Sequence, residues 1–133
     1  MIRQYLFHKQ ESFCKVVLTM NGVTFYLRAL IDNGNGLVEP FSKKAVSVVE
    51  KSIFPSDMIF LQEKYRVIPF HALGTEKGIL DGYEADLMKI EKGAETINVK
   101  NPIIAISTEY VSGKKNYQMI LHPDLLRERE EVK

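Results

Sequence analysis

The chain has 133 residues, with 18 Lys and Arg against 17 Asp and Glu, for a net charge of +1. That length suits a single domain, residues 1–133, and the near-neutral balance excludes the basic stripe of a nucleic-acid binder and the polybasic run of a lipid-surface binder. The single cysteine excludes an internal disulfide and a Cys-pair metal site, and no apolar run reaches the roughly 18–20 residues that span a bilayer.

Short strands account for most of the chain. Phe13 to Met20 and Val23 to Ile31 are rich in Val, Leu, Thr, Phe and Tyr, and Asn21-Gly22 between them favours a two-residue hairpin turn. Asp32 to Gly36, with two glycines and two asparagines, breaks the second strand. Leu37 to Lys44 reads as an irregular connection through Pro40, and Ala45 to Val49 as a short β-branched strand. Ser56 to Gln62 fits a strand or a helical turn, and periodicity does not decide between them. Arg66 to Phe70 and Ile79 to Ile90 read as two arms of a longer hairpin, with an exposed, mobile tip at His71 to Gly78. Strands at Ile97 to Val99 and Ile103 to Ser107 flank Asn101-Pro102. A polar turn, Val111 to Asn116, leads to a last strand, Tyr117 to Leu121. Pro123 suits the first position of a helix, so Leu125 to Glu131 is expected as a short charged one. Many short strands with little helix predict an all-β barrel or sandwich.

Ala29-Leu30-Ile31-Asp32-Asn33-Gly34-Asn35 is the stretch with chemical content. An apolar strand ends on a carboxylate, and a glycine two residues later permits a tight turn beside it. Peptide hydrolysis by carboxylates needs two of them sharing one proton, one activating water and the other donating to the scissile carbonyl. One such elbow is present, so the second carboxylate would come from another copy across a two-fold axis. The alternative for the triplet alone is a loop Asp bonding its own backbone in an Asx turn.

The run Asp32 to Pro40, followed by Ala45-Val46-Ser47-Val48-Val49-Glu50, resembles the sporulation sigma-E factor-processing peptidases of endospore-forming bacteria. That family carries Asp-Thr-Gly-Asn, then Leu, an acidic residue and Pro, then a Val-rich strand ending in Glu. Ile68-Pro69-Phe70-His71-Ala72-Leu73-Gly74, Gly78-Ile79-Leu80 and Tyr117-Gln118-Met119-Ile120-Leu121-His122-Pro123-Asp124-Leu125-Leu126 extend the likeness over nearly the whole chain.

The resemblance implies a retroviral-protease-like β-barrel (half of an acid protease) with a short C-terminal helix. It implies a homodimer with one Asp32 per chain, acting on a pro-sigma-E-like protein. Asp32 matches the catalytic aspartate, Gly34 the elbow glycine and Asn35 the asparagine after the triplet. His71, Ala72, Leu73 and Gly74 fall where such proteases have a substrate-covering flap, and His122 replaces a glycine of the supporting loop. Asn33 stands where the family has Thr, whose hydroxyl bonds across the dimer axis. The alternative is therefore an impaired or inactive relative that binds a sigma factor or another copy of itself. Family members follow a membrane-spanning block and face the cytosol at the sporulation septum. This domain itself is expected to be cytoplasmic, with no membrane contact, nucleic acid, cofactor or metal.

The remaining residues take ordinary readings. His71 and His122 lack a third metal ligand at a supporting spacing and read as structural or surface groups. Cys14 reads as a small core residue, and Lys9, Lys15, Lys43, Lys44, Lys114 and Lys115 as solvated charges. Tyr65, Phe70, Tyr83 and Leu87 fit either a peptide groove or a core.

Overall fold

The computed structural model describes residues 11–71 and 77–131. The fold is all-β: nine strands, β1 (Ser12–Met20), β2 (Val23–Ile31), β3 (Val46–Glu50), β4 (Tyr65–His71), β5 (Lys77–Glu84), β6 (Leu87–Lys92), β7 (Glu95–Lys100), β8 (Ile103–Ser107) and β9 (Met119–Leu121). They form one open sheet in the order β4-β5-β8-β3-β9-β2-β1-β6-β7.

Asn21 and Gly22 both take positive φ, 52° and 80°, so the β1–β2 hairpin closes as the dipeptide predicts, with Met20 opposite Val23. Alternation along β1 buries Cys14, Val16, Leu18 and Met20. The main core joins these to Met88 and Ile90 of β6, Ile97 and Val99 of β7, Ile104 and Ile106 of β8, and Met119 and Leu121 of β9. A smaller core gathers Val46, Ile68, Ile103 and Ala105, with Leu37, Val48 and Leu80 packed on it. Strand β3 lies between the two and buries Val46, Ser47, Val49 and Glu50, as a central strand with both faces covered must.

Four expectations change. The arm expected from Ile79 to Ile90 is two strands. The Ala85 amide donates to the Pro102 carbonyl and the Asp86 amide to the Thr19 carbonyl, which carries the chain from the β4–β5 hairpin to the β1 edge. Apolar alternation continues through this crossing, so periodicity does not register it. Ser56 to Gln62 is neither strand nor helix over most of its length; it is a turn and extended chain that reaches a 3-10 turn at Gln62–Lys64. The C-terminal helix is present but is of 3-10 type, Pro123–Glu131, and starts at the proline. The last strand, Met119 to Leu121, is shorter than Tyr117 to Leu121; at Gln118 the side-chain Oε1 takes the Arg28 amide, although the backbone of Gln118 still bonds both neighbouring strands. Its amide donates to the Arg28 carbonyl, and its carbonyl accepts from the Glu50 amide.

One topological feature positions everything below. Strand β9 is inserted between β2 and β3, parallel to β2 through Ile31 and Leu121 and antiparallel to β3. The link from β2 to β3 must therefore pass the end of β9, and Asp32 begins that link.

Candidate active site

The elbow starts where β2 stops pairing. The Asp32 amide donates to the Leu121 carbonyl at 3.3 Å, the last rung against β9. The chain then turns, with the Asn35 amide donating to the Asp32 carbonyl at 2.9 Å. The Gly34 amide donates to Asp32 Oδ1 at 2.9 Å. A Cβ at Gly34 would sit 3.3 Å from that oxygen, so glycine gives the amide room to approach the carboxylate. Asp32 is half-buried, and Oδ2 has no protein partner among the described residues. This is the local geometry of an Asx turn, and it also leaves one carboxylate oxygen available for chemistry.

Asn35 fixes the exit of the elbow. Its Nδ2 donates to the Val46 carbonyl at 3.1 Å and its Oδ1 accepts from the Leu37 amide at 3.0 Å. Asn33 is exposed, and among the described residues its side chain makes no hydrogen bond within the protomer.

Across from the elbow stands the β4–β5 hairpin. Gly34, Asn35, Leu37 and Val38 on one side and Pro69, Phe70 and His71 on the other enclose a cleft of about 510 Å³. Asp32 does not itself line it. The two walls are not independent, because Leu37 from the elbow loop and Ile68 and Leu80 from the hairpin pack in the same small core. Of the expected flap residues, His71 ends β4 and is exposed at the cleft; Ala72, Leu73 and Gly74 lie outside the described residues. Phe70 alone of the four apolar candidates lines the cleft, its ring filling the space a side chain at Gly78 would take. Tyr65 and Tyr83 meet edge to face at 5.5 Å, and Tyr83 continues through Phe60 to Phe54 on the main core. Leu87 pairs with Lys100 at the start of β6, away from the cleft.

Sequence reasoning passed over three residues. Lys43, read as a solvated charge, lines the cleft on a backbone of φ 65°. Glu39 is buried; its Oε1 accepts from the Ser42 hydroxyl and amide, both at 2.7 Å, and these bonds hold its carboxyl below the usual carboxylate range. Only the Glu39-to-Ser42 spacing, typical of a side chain closing a turn, hinted at this. Ser47 is fully buried on β3, and its Oγ accepts the His122 amide at 2.9 Å.

His122 is structural, as expected, and buried. Its Nδ1 accepts the Asp124 amide at 3.1 Å, so the neutral ring carries its proton on Nε2. Burial pushes this imidazole below its ordinary value; Asp124 partly opposes the shift and Arg127 adds to it. Burial likewise pushes the Cys14 thiol up to about 11, against a smaller opposing pull from Lys92, as suits an inert core cysteine. No group of three or more potential metal ligands occurs among the described residues, and none of the helices there is long and apolar enough to cross a membrane.

Comparison with known proteins gives a family match over residues 1–125, to the sporulation factor SpoIIGA family of peptidases. The sporulation sigma-E factor-processing peptidase of Priestia megaterium is 27% identical over 137 residues, which cover 87% of this chain and 45% of the relative. The protein of the same description in Bacillus subtilis is 25% identical, again over 87% of this chain and 45% of its own length. The chain thus spans under half of each of these two relatives. A shorter relative in Bacillus thuringiensis subsp. kurstaki, 27% identical, is covered over 85% of its length. No solved structure matches the chain.

Proposed function

Because the chain belongs to the sporulation factor SpoIIGA family, we propose that it is an aspartic endopeptidase domain, active as a homodimer, that removes the pro-sequence of a sporulation sigma factor. The observation that carries this reading is the Asp32 elbow: a half-buried carboxylate with one oxygen held by the Gly34 amide and the other without a protein partner among the described residues. A retroviral-protease-like arrangement would bring two such elbows together on a two-fold axis. Two carboxylates about 3 Å apart share one proton, because both cannot ionise at that distance. The ionised Asp32 takes a proton from water as the water oxygen attacks the scissile carbonyl. The protonated Asp32 of the other copy donates to the carbonyl oxygen. The resulting gem-diol collapses, breaking the C–N bond. The Asp32 that took the water proton gives it to the leaving nitrogen, and the Asp32 that is now ionised takes back a proton from a gem-diol hydroxyl, which restores the dyad. The Gly34 amide keeps the carboxylate plane fixed throughout. An extended peptide lies in the cleft beneath the β4–β5 hairpin, bonded along its backbone as an added strand.

Asn33 is the residue that departs from the family. Exposed and without a side-chain bond of its own, it is free to donate and accept across the axis where Thr would. A second reading rests on that same position: the elbow is internally satisfied as an Asx turn, which a non-catalytic sigma-factor-binding or self-association module would retain. The test is cleavage of a pro-sigma-E substrate at high chain concentration, beside Asp32→Ala and Asn33→Thr. Loss of cleavage in Asp32→Ala alone supports the peptidase. Recovery in Asn33→Thr of an activity missing from the starting chain identifies a silenced fold. Inactivity of all three favours the binding role.

A further inference from the structure

The elbow is bonded to β3 directly at its exit and to β9 at its entry, and the chain leaving β9 is in turn held to β3 by a buried hydroxyl. On the exit side, Asn35 bonds the Val46 carbonyl. On the entry side, Asp32 bonds the Leu121 carbonyl. The next peptide amide along β9, that of His122, is in turn held by Ser47 Oγ at 2.9 Å. Val46 and Ser47 are neighbours on β3, a strand with four of its five residues buried, and each is 0% exposed. A hydroxyl there, between Val46 and Val48 in a strand otherwise apolar up to Glu50, contributes less to packing than a third valine would, unless its oxygen has a task.

We infer that Ser47 is a positioning residue for Asp32, acting through the His122 amide to fix the end of β9 and so the seat of the catalytic elbow. This deepens the peptidase reading and rests on it. The physical argument is one of leverage. Strand β9 is three residues long and meets β3 in two register pairs, Val48 with Ile120 and Val49 with Met119, which end before His122. Beyond them Ser47 Oγ is the tie between β3 and the chain leaving β9. Without it the Leu121–His122 peptide is free to tilt, and the Asp32 amide follows. His122 completes the arrangement from the other side, its carbonyl accepting the Leu125 amide and its ring the Asp124 amide, which anchors the peptide to the 3-10 helix.

The experiment compares the dimeric chain with Ser47→Ala, with Ser47→Thr, which keeps the hydroxyl, and with Ile97→Val, a core truncation in the edge strand β7. All are assayed at a temperature where each is fully folded, with a peptide spanning the pro-sequence junction of a sporulation sigma factor as substrate. A displaced catalytic group costs rate and not binding, so Ser47→Ala is expected to lose about tenfold or more in kcat with KM within about twofold. Ser47→Thr is expected to regain most of that loss, and Ile97→Val to keep the full rate. Amide hydrogen exchange supplies a readout independent of activity: Ser47→Ala accelerates exchange at Asp32 and His122, and Ile97→Val does not. Equal kcat in Ser47→Ala and Ile97→Val, unchanged exchange at Asp32, or a folded Ser47→Thr no better than Ser47→Ala each overturns the inference. A wild-type chain that cleaves nothing while exchange responds as expected overturns the peptidase reading and leaves Ser47 as the residue that seats the elbow.

Discussion

At the scale of single residues, the buried His122 imidazole makes the fold sensitive to pH. His122 is held neutral by burial, below its ordinary value of 6.5. As pH falls through about 6.5 the unfolded chain takes up a proton that the folded chain refuses until lower pH, so the unfolded state binds more protons in that window. The stability contributed by the neutral ring is therefore complete above 6.5 and is lost as pH falls below it. The expected outcome is a Tm that drops from pH 7.5 to pH 5.5, with a shallower drop in His122→Asn, whose amide oxygen can still accept the Asp124 amide. Thermal melts of the two proteins across that range check it. Gly34 gives a second residue-scale expectation. A methyl group there crowds Asp32 Oδ1 at 3.3 Å, so Gly34→Ala should retain the fold and lose about tenfold to a hundredfold in kcat through a shifted carboxylate. Steady-state kinetics and a circular dichroism spectrum separate the two effects.

At the scale of elements, the β4–β5 hairpin is joined to the rest by close packing at its base. Gly82 on β5 faces Ile68, and a Cβ there would lie 2.7 Å from Ile68 Cγ1 with the Arg66 and Ile104 carbonyls at 3.2 Å. Gly82→Ala is expected to cost about 1–3 kcal/mol by overpacking, readable as a lower urea midpoint. Ile68→Ala, which empties the small core shared by hairpin and elbow loop, is expected to cost about 2–5 kcal/mol and to raise KM, because the cleft walls lose their common support. The hairpin itself was legible in the sequence from alternating apolar residues around a glycine-containing tip. Its neighbour was not: alternation runs unbroken through Ala85, and only the amides of Ala85 and Asp86, bonding to residues distant in sequence, divide β5 from β6. The carboxylate of Glu39 and the hydroxyl of Ser47 stood in the sequence only as members of longer motifs; their bonds, to Ser42 and to the His122 amide, are set by the fold. Asp32, Gly34 and Asn35 were readable because the elbow is made of bonds between close neighbours, plus one from Asn35 to the following strand.

For the whole molecule, the proposed division of the active site between two copies would make activity a matter of concentration. Cleavage per chain is expected to rise with chain concentration and to level off once pairing is complete. Mixing wild-type chains with an excess of Asp32→Asn chains should suppress activity beyond simple dilution, because mixed pairs hold one carboxylate only. Activity that stays strictly proportional to wild-type chains in such a mixture would argue for a site contained in one copy.

The placement of β9 also sets a timetable. The floor under Asp32 is formed by residues near the end of the chain, and the Ser47 tie to His122 spans 75 positions. A ribosome delivers β2 and the elbow long before it delivers Met119 to His122, and closing so wide a loop is slow compared with forming the β1–β2 hairpin. The nascent chain therefore carries its aspartate without this floor until residues 119–122 have been made. A chain cut short before residue 119 would lack the Leu121 carbonyl that seats the Asp32 amide.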